Sequence, residues 1–339
     1  MKTIFFDIEN YEEKFLRAKR KDDYFFVHDA LNDLELVNPD YADAEIISVF
    51  TTSRVNADVL KQFKNLKLIA LRSVGFNHID IEYCKAHNIV VENSPEYGNQ
   101  SVAEFALALL MDVLRKVTVS YLEYKNSKVH PTCLMGMELY GKTMGIVGLG
   151  AIGSAFARIA HGLGMKILGY DKIEKEVLKV DLNVTYTDFD TLLRNSDFIS
   201  INAPINQENY HMFDESCFDK MKETAILINT GRGELIDTQA LFNALVNKKI
   251  LGAGLDVLEN EQTITDVDYM IGINRLDKLT LKQTIINTRL FQLDNVILTP
   301  HTAGLPDGVK YHKKRYDFFI SNINKVMNGE LPECRLNHI

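Results

Sequence analysis

The sequence predicts an α/β chain of two doubly wound parallel sheets, one inserted into the other. Three observations carry that prediction. Short apolar runs alternate with helical stretches from residue 1 to about residue 95. A glycine-rich strand, turn and helix sits near the middle of the 339 residues rather than at their start. One amphipathic helix closes the chain and is too short to be a domain by itself.

In the opening region strands are expected at 2–7, 24–28, 45–48, 67–70 and 89–91, with helices between them, for example at 57–63 and 78–87. That alternation indicates a parallel sheet covered on both faces. A long helix is expected over about 101–124, apolar at Phe105, Ala106, Leu109, Leu110, Val113 and Leu114. The second sheet opens after Gly141, and its first strand carries Met144, Ile146 and Val147. Further strands are expected at 166–170, 198–201, 225–229, 252–257 and 296–298, with helices such as 239–246 filling the gaps. Another helix is expected within 263–293. The closing helix, about 307–327, is expected to pack back on the opening region. The domains then run 1–100 plus 300–339, and 101–299. Two crossings make a natural hinge, and the cleft beside it is where a ligand is expected.

Composition excludes several functions. A net charge of −8 opposes a nucleic-acid surface, which needs basic patches. Cys84, Cys133, Cys217 and Cys334 are scattered without a C-x-x-C pair, as expected of reduced thiols in a cytoplasmic protein. No metal-ligand spacing occurs. No run of 18 apolar residues is present, so no membrane span is expected. The first seven residues read as a strand and not as a leader.

Gly148-Leu149-Gly150-Ala151-Ile152-Gly153 fits G-x-G-x-x-G between a strand and a helix marked by Ile152, Phe156, Ile159 and Ala160. The glycines permit a tight turn and close approach of a pyrophosphate to the helix N-terminus. The next strand ends in Asp171, about 20 residues on, placed to accept hydrogen bonds from a ribose 2′-hydroxyl. A 2′-phosphate would meet its charge, so NAD is expected over NADP. Four further blocks follow strands. Arg232 lies in Asn229-Thr230-Gly231-Arg232-Gly233, where its planar fork suits a carboxylate or keto oxygen. The bland alternative is an arginine paired with a neighbouring acid. Asp256, Glu259 and Glu261 follow another strand, and Glu259 reads as a solvated loop charge. His301, in Thr299-Pro300-His301-Thr302-Ala303, is the candidate general acid/base. The Arg72-Ser73-Val74-Gly75 turn offers backbone amides to a small anion.

These blocks, in this order, resemble the D-isomer-specific 2-hydroxyacid dehydrogenase family, and its D-lactate dehydrogenase branch in particular. The resemblance implies a Rossmann dinucleotide-binding domain inserted into a flavodoxin-like substrate domain. It implies Arg232, Glu261 and His301 as catalytic residues. Val74 and Gly75 would receive the substrate carboxylate, with Tyr97 and Phe50 lining the substrate cleft. Cofactor contacts are implied at Gly148, Gly150, Ala151, Ile152, Gly153, Asp171, Ala203, Pro204, Asn209, Thr230, Gly231, Arg232, Asp256 and His301. The implied reaction reduces a small 2-oxo acid, pyruvate or a close analogue, to the D-2-hydroxy acid with NADH. A homodimer is implied through the 101–124 helix and the loop after it. The chain departs from the family pattern at Asn202, where many members carry histidine, and at Gly304-Leu305-Pro306, where lactate-type members carry aromatics. The segment 263–293 separates Glu261 from His301 by more than in phosphoglycerate-type members. Two rival readings are a phosphoglycerate- or glyoxylate-type reductase and a dinucleotide-sensing protein without activity.

Overall fold

A computed structural model describes the chain apart from residues 20–23, 33–38, 51, 74, 95–97, 128–133, 260–277, 305–307 and 338–339, and apart from the side chains of 19, 278–280 and 308–315. The chain divides into two units, Met1–Tyr97 with Asp307–Ile339, and Gly98–Pro306.

The first unit holds five strands: β1 Thr3–Phe5, β2 Tyr24–Phe26, β3 Ile46–Val49, β4 Leu68–Leu71 and β5 Val90–Glu92. Every pairing is parallel, in the order β2-β1-β3-β4-β5, the flavodoxin-like order. Side chains alternate across the sheet, so both faces need cover. Ile4, Ile47, Ile69 and Val91 pack with Val59, Leu60 and Cys84 on one face. Phe5, Ile46, Leu68 and Ala70 pack with Leu16, Tyr316, Phe319 and Ile323 on the other. The last three belong to the closing helix Gly308–Met327. The end of the chain adds to the edge of β5: the Leu336 amide donates to the Val91 carbonyl at 2.9 Å.

The second unit holds seven strands: β6 Thr143–Val147, β7 Lys166–Tyr170, β8 Thr185–Tyr186, β9 Phe198–Ile201, β10 Ile226–Asn229, β11 Gly252–Leu255 and β12 Val296–Leu298. All pair in parallel in the order β12-β11-β10-β9-β6-β7-β8. The direction of winding reverses between β6 and β9, as in the Rossmann fold. The helices Asn99–Arg115 and Ala151–Gly162 cover one face, over Met144, Ile146, Phe198, Ile226 and Ile228. Helices that include Thr238–Val246 and Lys278–Phe291 cover the other.

One expected element is corrected. The stretch 101–124 is two helices, Asn99–Arg115 and Val117–Lys125, broken at Lys116 with φ +52°. The Asp112 carboxylate causes the new start: it accepts from the Thr118 amide at 2.7 Å and the Thr118 hydroxyl at 2.6 Å, capping the second helix from the first. That second helix buries none of its residues. Among the described residues no helix is long and apolar enough to cross a membrane.

Arg72, fully buried past β4, ties together the strand ends of the first unit. Its guanidinium donates to the carbonyls of Phe6 at 2.8 Å and Ser48 at 3.3 Å, and Nε lies 3.8 Å from the buried carboxylate of Glu12. Removing one partner of a buried ion pair strands the other charge, at about 3–5 kcal/mol. Arg72→Leu should therefore lower unfolding stability by about that much. Urea denaturation checks it, and a loss below about 1 kcal/mol would refute the assignment.

Candidate functional site

The described candidate residues of the second unit follow the carboxyl ends of its strands, the edge at which doubly wound sheets bind ligands. Gly148 ends β6 with φ +87°, and a Cβ there would lie 2.8 Å from the Ala203 nitrogen. The turn after β6 thus lies against the one after β9. Gly153 sits so near the turn that a Cβ would fall 1.9 Å from the Gly148 carbonyl oxygen. Gly150, the N-cap of the helix Ala151–Gly162, is the opposite case: nothing lies within 4 Å of its Cβ position. Two glycines are used for packing and one opens space at a helix N-terminus, the division expected of a pyrophosphate cradle. Ala151 is exposed and Ile152 half-buried at the start of the same helix.

Asp171 follows β7. Its Oδ2 accepts from the Leu149 amide of the glycine turn at 2.6 Å, and its Oδ1 from the Ile173 amide at 3.0 Å. Each oxygen keeps a lone pair for a hydroxyl. Lys172 is held by Glu208 at 2.7 Å, both exposed. Past β9, the Asn209 side chain is spent on its own loop, donating to the Pro204 carbonyl and accepting from the Asn206 amide, each at 2.7 Å. Ala203 is half-buried and Pro204 exposed. Two buried polar atoms in the turns that meet here lack partners among the described residues: Asn202 Oδ1 and the Thr230 hydroxyl. A bound dinucleotide, rich in amide and hydroxyl groups, suits such orphans.

Past β10, the buried Asn229 side chain shapes the loop, accepting from the Gly231 amide at 3.0 Å and donating to the Arg232 carbonyl at 2.9 Å. Arg232 is half-buried, and its Nη1 donates to the Gly231 carbonyl at 2.7 Å. It makes no ion pair among the described residues, so no described acid takes the role of its bland alternative. Asp256, past β11, is 1% exposed. Its Oδ1 accepts from the Thr299 hydroxyl at 2.6 Å and the Thr302 amide at 2.9 Å; its Oδ2 accepts from the Ala303 amide at 2.8 Å. Burial pushes its carboxyl above the usual range, and those hydrogen bonds oppose the shift. His301, exposed and in the left-handed region at φ +53°, is carried by this turn, its amide donating to the Asp256 carbonyl at 3.0 Å.

Glu259 requires a correction. It is 8% exposed and bonded to His211 and Thr238, not solvated. Nothing in the local sequence around His211 or Thr238 points to a residue so far along the chain. Of the first-unit candidates, Phe50 follows β3 half-buried, and the Gly75 carbonyl accepts from the Ser73 hydroxyl at 2.7 Å. Val74, Tyr97 and Glu261 lie outside the described residues, as do Leu305 and Pro306 and the 263–277 part of the expected helix.

Residues 107–303 match the family profile of the D-isomer specific 2-hydroxyacid dehydrogenase, NAD binding domain. A glyoxylate reductase of Thermococcus litoralis is 37% identical over 305 residues, covering 87% of this chain and 84% of the relative. A hydroxypyruvate reductase of Thermotoga maritima is 36% identical over 262 residues, covering 77% and 78%. The crystal structure of D-lactate dehydrogenase from Aquifex aeolicus, complexed with NAD and lactic acid, superposes with a TM-score of 0.88 at 31% identity, covering 99% of each chain.

The glycines should separate experimentally. Gly153→Ala drives a methyl into backbone and should cost about 1–3 kcal/mol of stability. Gly150→Ala should leave the melting temperature nearly unchanged but weaken NADH binding about tenfold, or by about 1.4 kcal/mol. Fluorescence titration of NADH checks it, and wild-type affinity in Gly150→Ala would refute the cradle. Asp171 should confer a preference for NADH over NADPH, which Asp171→Ala narrows. Equal kcat/KM for the two cofactors in the wild type would contradict this.

Proposed function

The chain belongs to the D-isomer-specific 2-hydroxyacid dehydrogenase family, and on that premise we propose that it reduces a short 2-oxo acid, pyruvate or a close analogue, to the D-2-hydroxy acid. It is an NAD-dependent D-2-hydroxyacid dehydrogenase. The observation that carries the finer reading is Arg232, an arginine at a strand end that makes no ion pair among the described residues, in the same unit as a histidine whose turn is fixed by a buried carboxylate.

The roles follow from the chemistry. Arg232 binds the substrate carboxylate through its planar fork and polarises the carbonyl beside it. For the first unit, we assign to the Val74 and Gly75 amides an anion-binding role. His301 delivers a proton to the carbonyl oxygen as negative charge develops there. To Glu261 we assign the role of favouring the protonated His301 ring. Asp256 keeps the turn that carries His301 in place and would contact the cofactor. The glycine turn, Asp171, Ala203, Pro204, Asn209, Thr230 and Gly231 would hold NADH, which would supply the hydride to the carbonyl carbon. To Tyr97 and Phe50 we assign a part in substrate selection.

A glyoxylate- or hydroxypyruvate-reducing activity is the second reading, favoured by the names of the two relatives above. All three acids share the 2-oxo carboxylate that Arg232 would grip, and differ only in the group beyond it. We also read the chain as a cytoplasmic homodimer. Val117, Tyr121, Leu122 and Tyr124 on the helix Val117–Lys125 are 57%, 62%, 48% and 75% exposed, an apolar surface suited to a second copy.

Arg232→Lys should lose about 100-fold or more in kcat/KM for the 2-oxo acid, because an ammonium cannot reproduce the planar fork. Wild-type kinetics in that variant would sink the anchoring role. Reduction needs protonated His301, so its kcat/KM should fall as pH rises. Glu261→Gln removes the neighbouring negative charge and should move that alkaline limb to lower pH. The acid limb of hydroxy-acid oxidation, which needs neutral His301, should move the same way. Limbs that overlay the wild type would remove Glu261 from the site.

A further inference from the structure

Glu259 has no part in the chemistry above, yet its carboxylate is buried and fully engaged. Oε1 lies 2.6 Å from His211 Nε2 and accepts from the Tyr210 hydroxyl at 3.3 Å. Oε2 accepts from the Thr238 hydroxyl at 2.7 Å. The Glu259 carbonyl accepts from Nδ2 of the fully buried Asn287 at 2.8 Å. A carboxylate only accepts, so the ring nitrogen facing it carries the hydrogen. Residues 210–211, 238 and 287, far apart in sequence, therefore converge on one residue at the end of the segment that leaves β11.

Three links run from this cluster to Arg232. Arg232 is the N-cap of the short helical turn Gly233–Leu235, and Thr238 begins the helix that follows it. The His211 amide donates to the Glu234 carbonyl at 2.9 Å, and the Phe213 amide to the Leu235 carbonyl at 3.0 Å. The third link is steric. A Cβ on Gly233 would lie 2.1 Å from the Leu258 carbonyl carbon and 2.5 Å from the Glu259 nitrogen. The backbone just past Arg232 thus rests on the Leu258–Glu259 peptide, and the Glu259 side chain fixes that peptide.

Burying a carboxylate against an imidazole carries a desolvation cost, and an apolar cluster of the same shape often folds as well. What bonded polar groups add is a fixed position, and a site of this kind must hold its groups to about half an ångström. We infer that the Glu259–His211–Thr238 cluster is a positioning device for the Arg232 loop, an inference that rests on Arg232 as the carboxylate anchor.

The test compares His211→Ala, His211→Gln and Thr238→Val in the full-length protein, with Arg232→Lys in parallel. Initial rates are measured against the 2-oxo acid and NADH separately, well below each variant's melting temperature. His211→Ala should lower kcat/KM for the oxo acid by about 10- to 100-fold, the scale of a displaced contact group. Its KM for NADH should rise by clearly less, since Thr230 and Gly231 share the loop but the glycine turn and Asp171 are untouched. His211→Gln, which returns an N–H donor near the Nε2 position, should recover most of the loss. Thr238→Val removes one hydroxyl at nearly constant volume and should act in the same direction, which covers the case of a His211→Ala that does not fold. Unaltered kinetics with only a lower melting temperature would overturn the inference, as would equal losses toward NADH and the oxo acid. If Arg232→Lys is crippled while the cluster variants are kinetically normal, this inference alone fails. If Arg232→Lys behaves as wild type, the anchoring assignment fails and this inference with it. Combining His211→Ala with Arg232→Lys should add little further loss, because both act through one group. Full additivity would also overturn it.

Discussion

A parallel sheet leaves backbone groups and turning loops at its carboxyl edge, where they must be held without blocking a ligand. Each unit meets that constraint with a buried ionic side chain. In the first, Arg72 gathers the carbonyls of Phe6 and Ser48, past or within β1 and β3, with Glu12 as its counter-ion. In the second, Asp256 gathers the Thr299 hydroxyl and the Thr302 and Ala303 amides, and so draws the turn after β12 onto the end of β11. A carboxylate that accepts three hydrogen bonds in a buried setting tolerates little movement in its donors. His301 inherits that fixity through its backbone, while its ring stays exposed. The rest of the site depends on this separation between a buried anchor and an exposed reactive group.

The same separation recurs along the edge. Asn229 is buried and shapes the loop, while Arg232 reaches out from it. Gly148 and Gly153 are filled by neighbouring backbone, while Gly150 faces open space. Thr230 and Asn202 leave polar atoms unsatisfied among the described residues at the place where two loops meet. The side chains proposed for chemistry at this edge are few, and a larger number of residues behind them set their positions.

That division explains what could be read from the sequence. The residues proposed to act directly follow apolar strands and stand in short local patterns, so Gly148 to Gly153, Asp171, Arg232, Asp256 and His301 could be put forward from the sequence. The winding of both sheets was legible too, since buried parallel strands are near-continuous apolar runs. Residues that act through position were not. Glu259 finds His211 and Thr238 only after the chain has folded, and read alone it resembles any loop acid. The break at Lys116 was hidden because apolar periodicity runs on through it; the local signal is Asp112 followed by Thr118, a cap formed across the break. The edge strand Thr185–Tyr186 is two residues long, too short to show a period.

We propose that this edge directs hydride to one face of a 2-oxo acid. The most direct measurement incubates the protein with NADH and separate samples of pyruvate, glyoxylate and hydroxypyruvate. Cofactor oxidation is followed by absorbance, and the product of each chiral case is resolved by chiral chromatography. The account predicts turnover of at least one of these acids, with lactate or glycerate formed as the D isomer. Formation of the L isomer, or tight NADH binding with no turnover of any of the three, would contradict it.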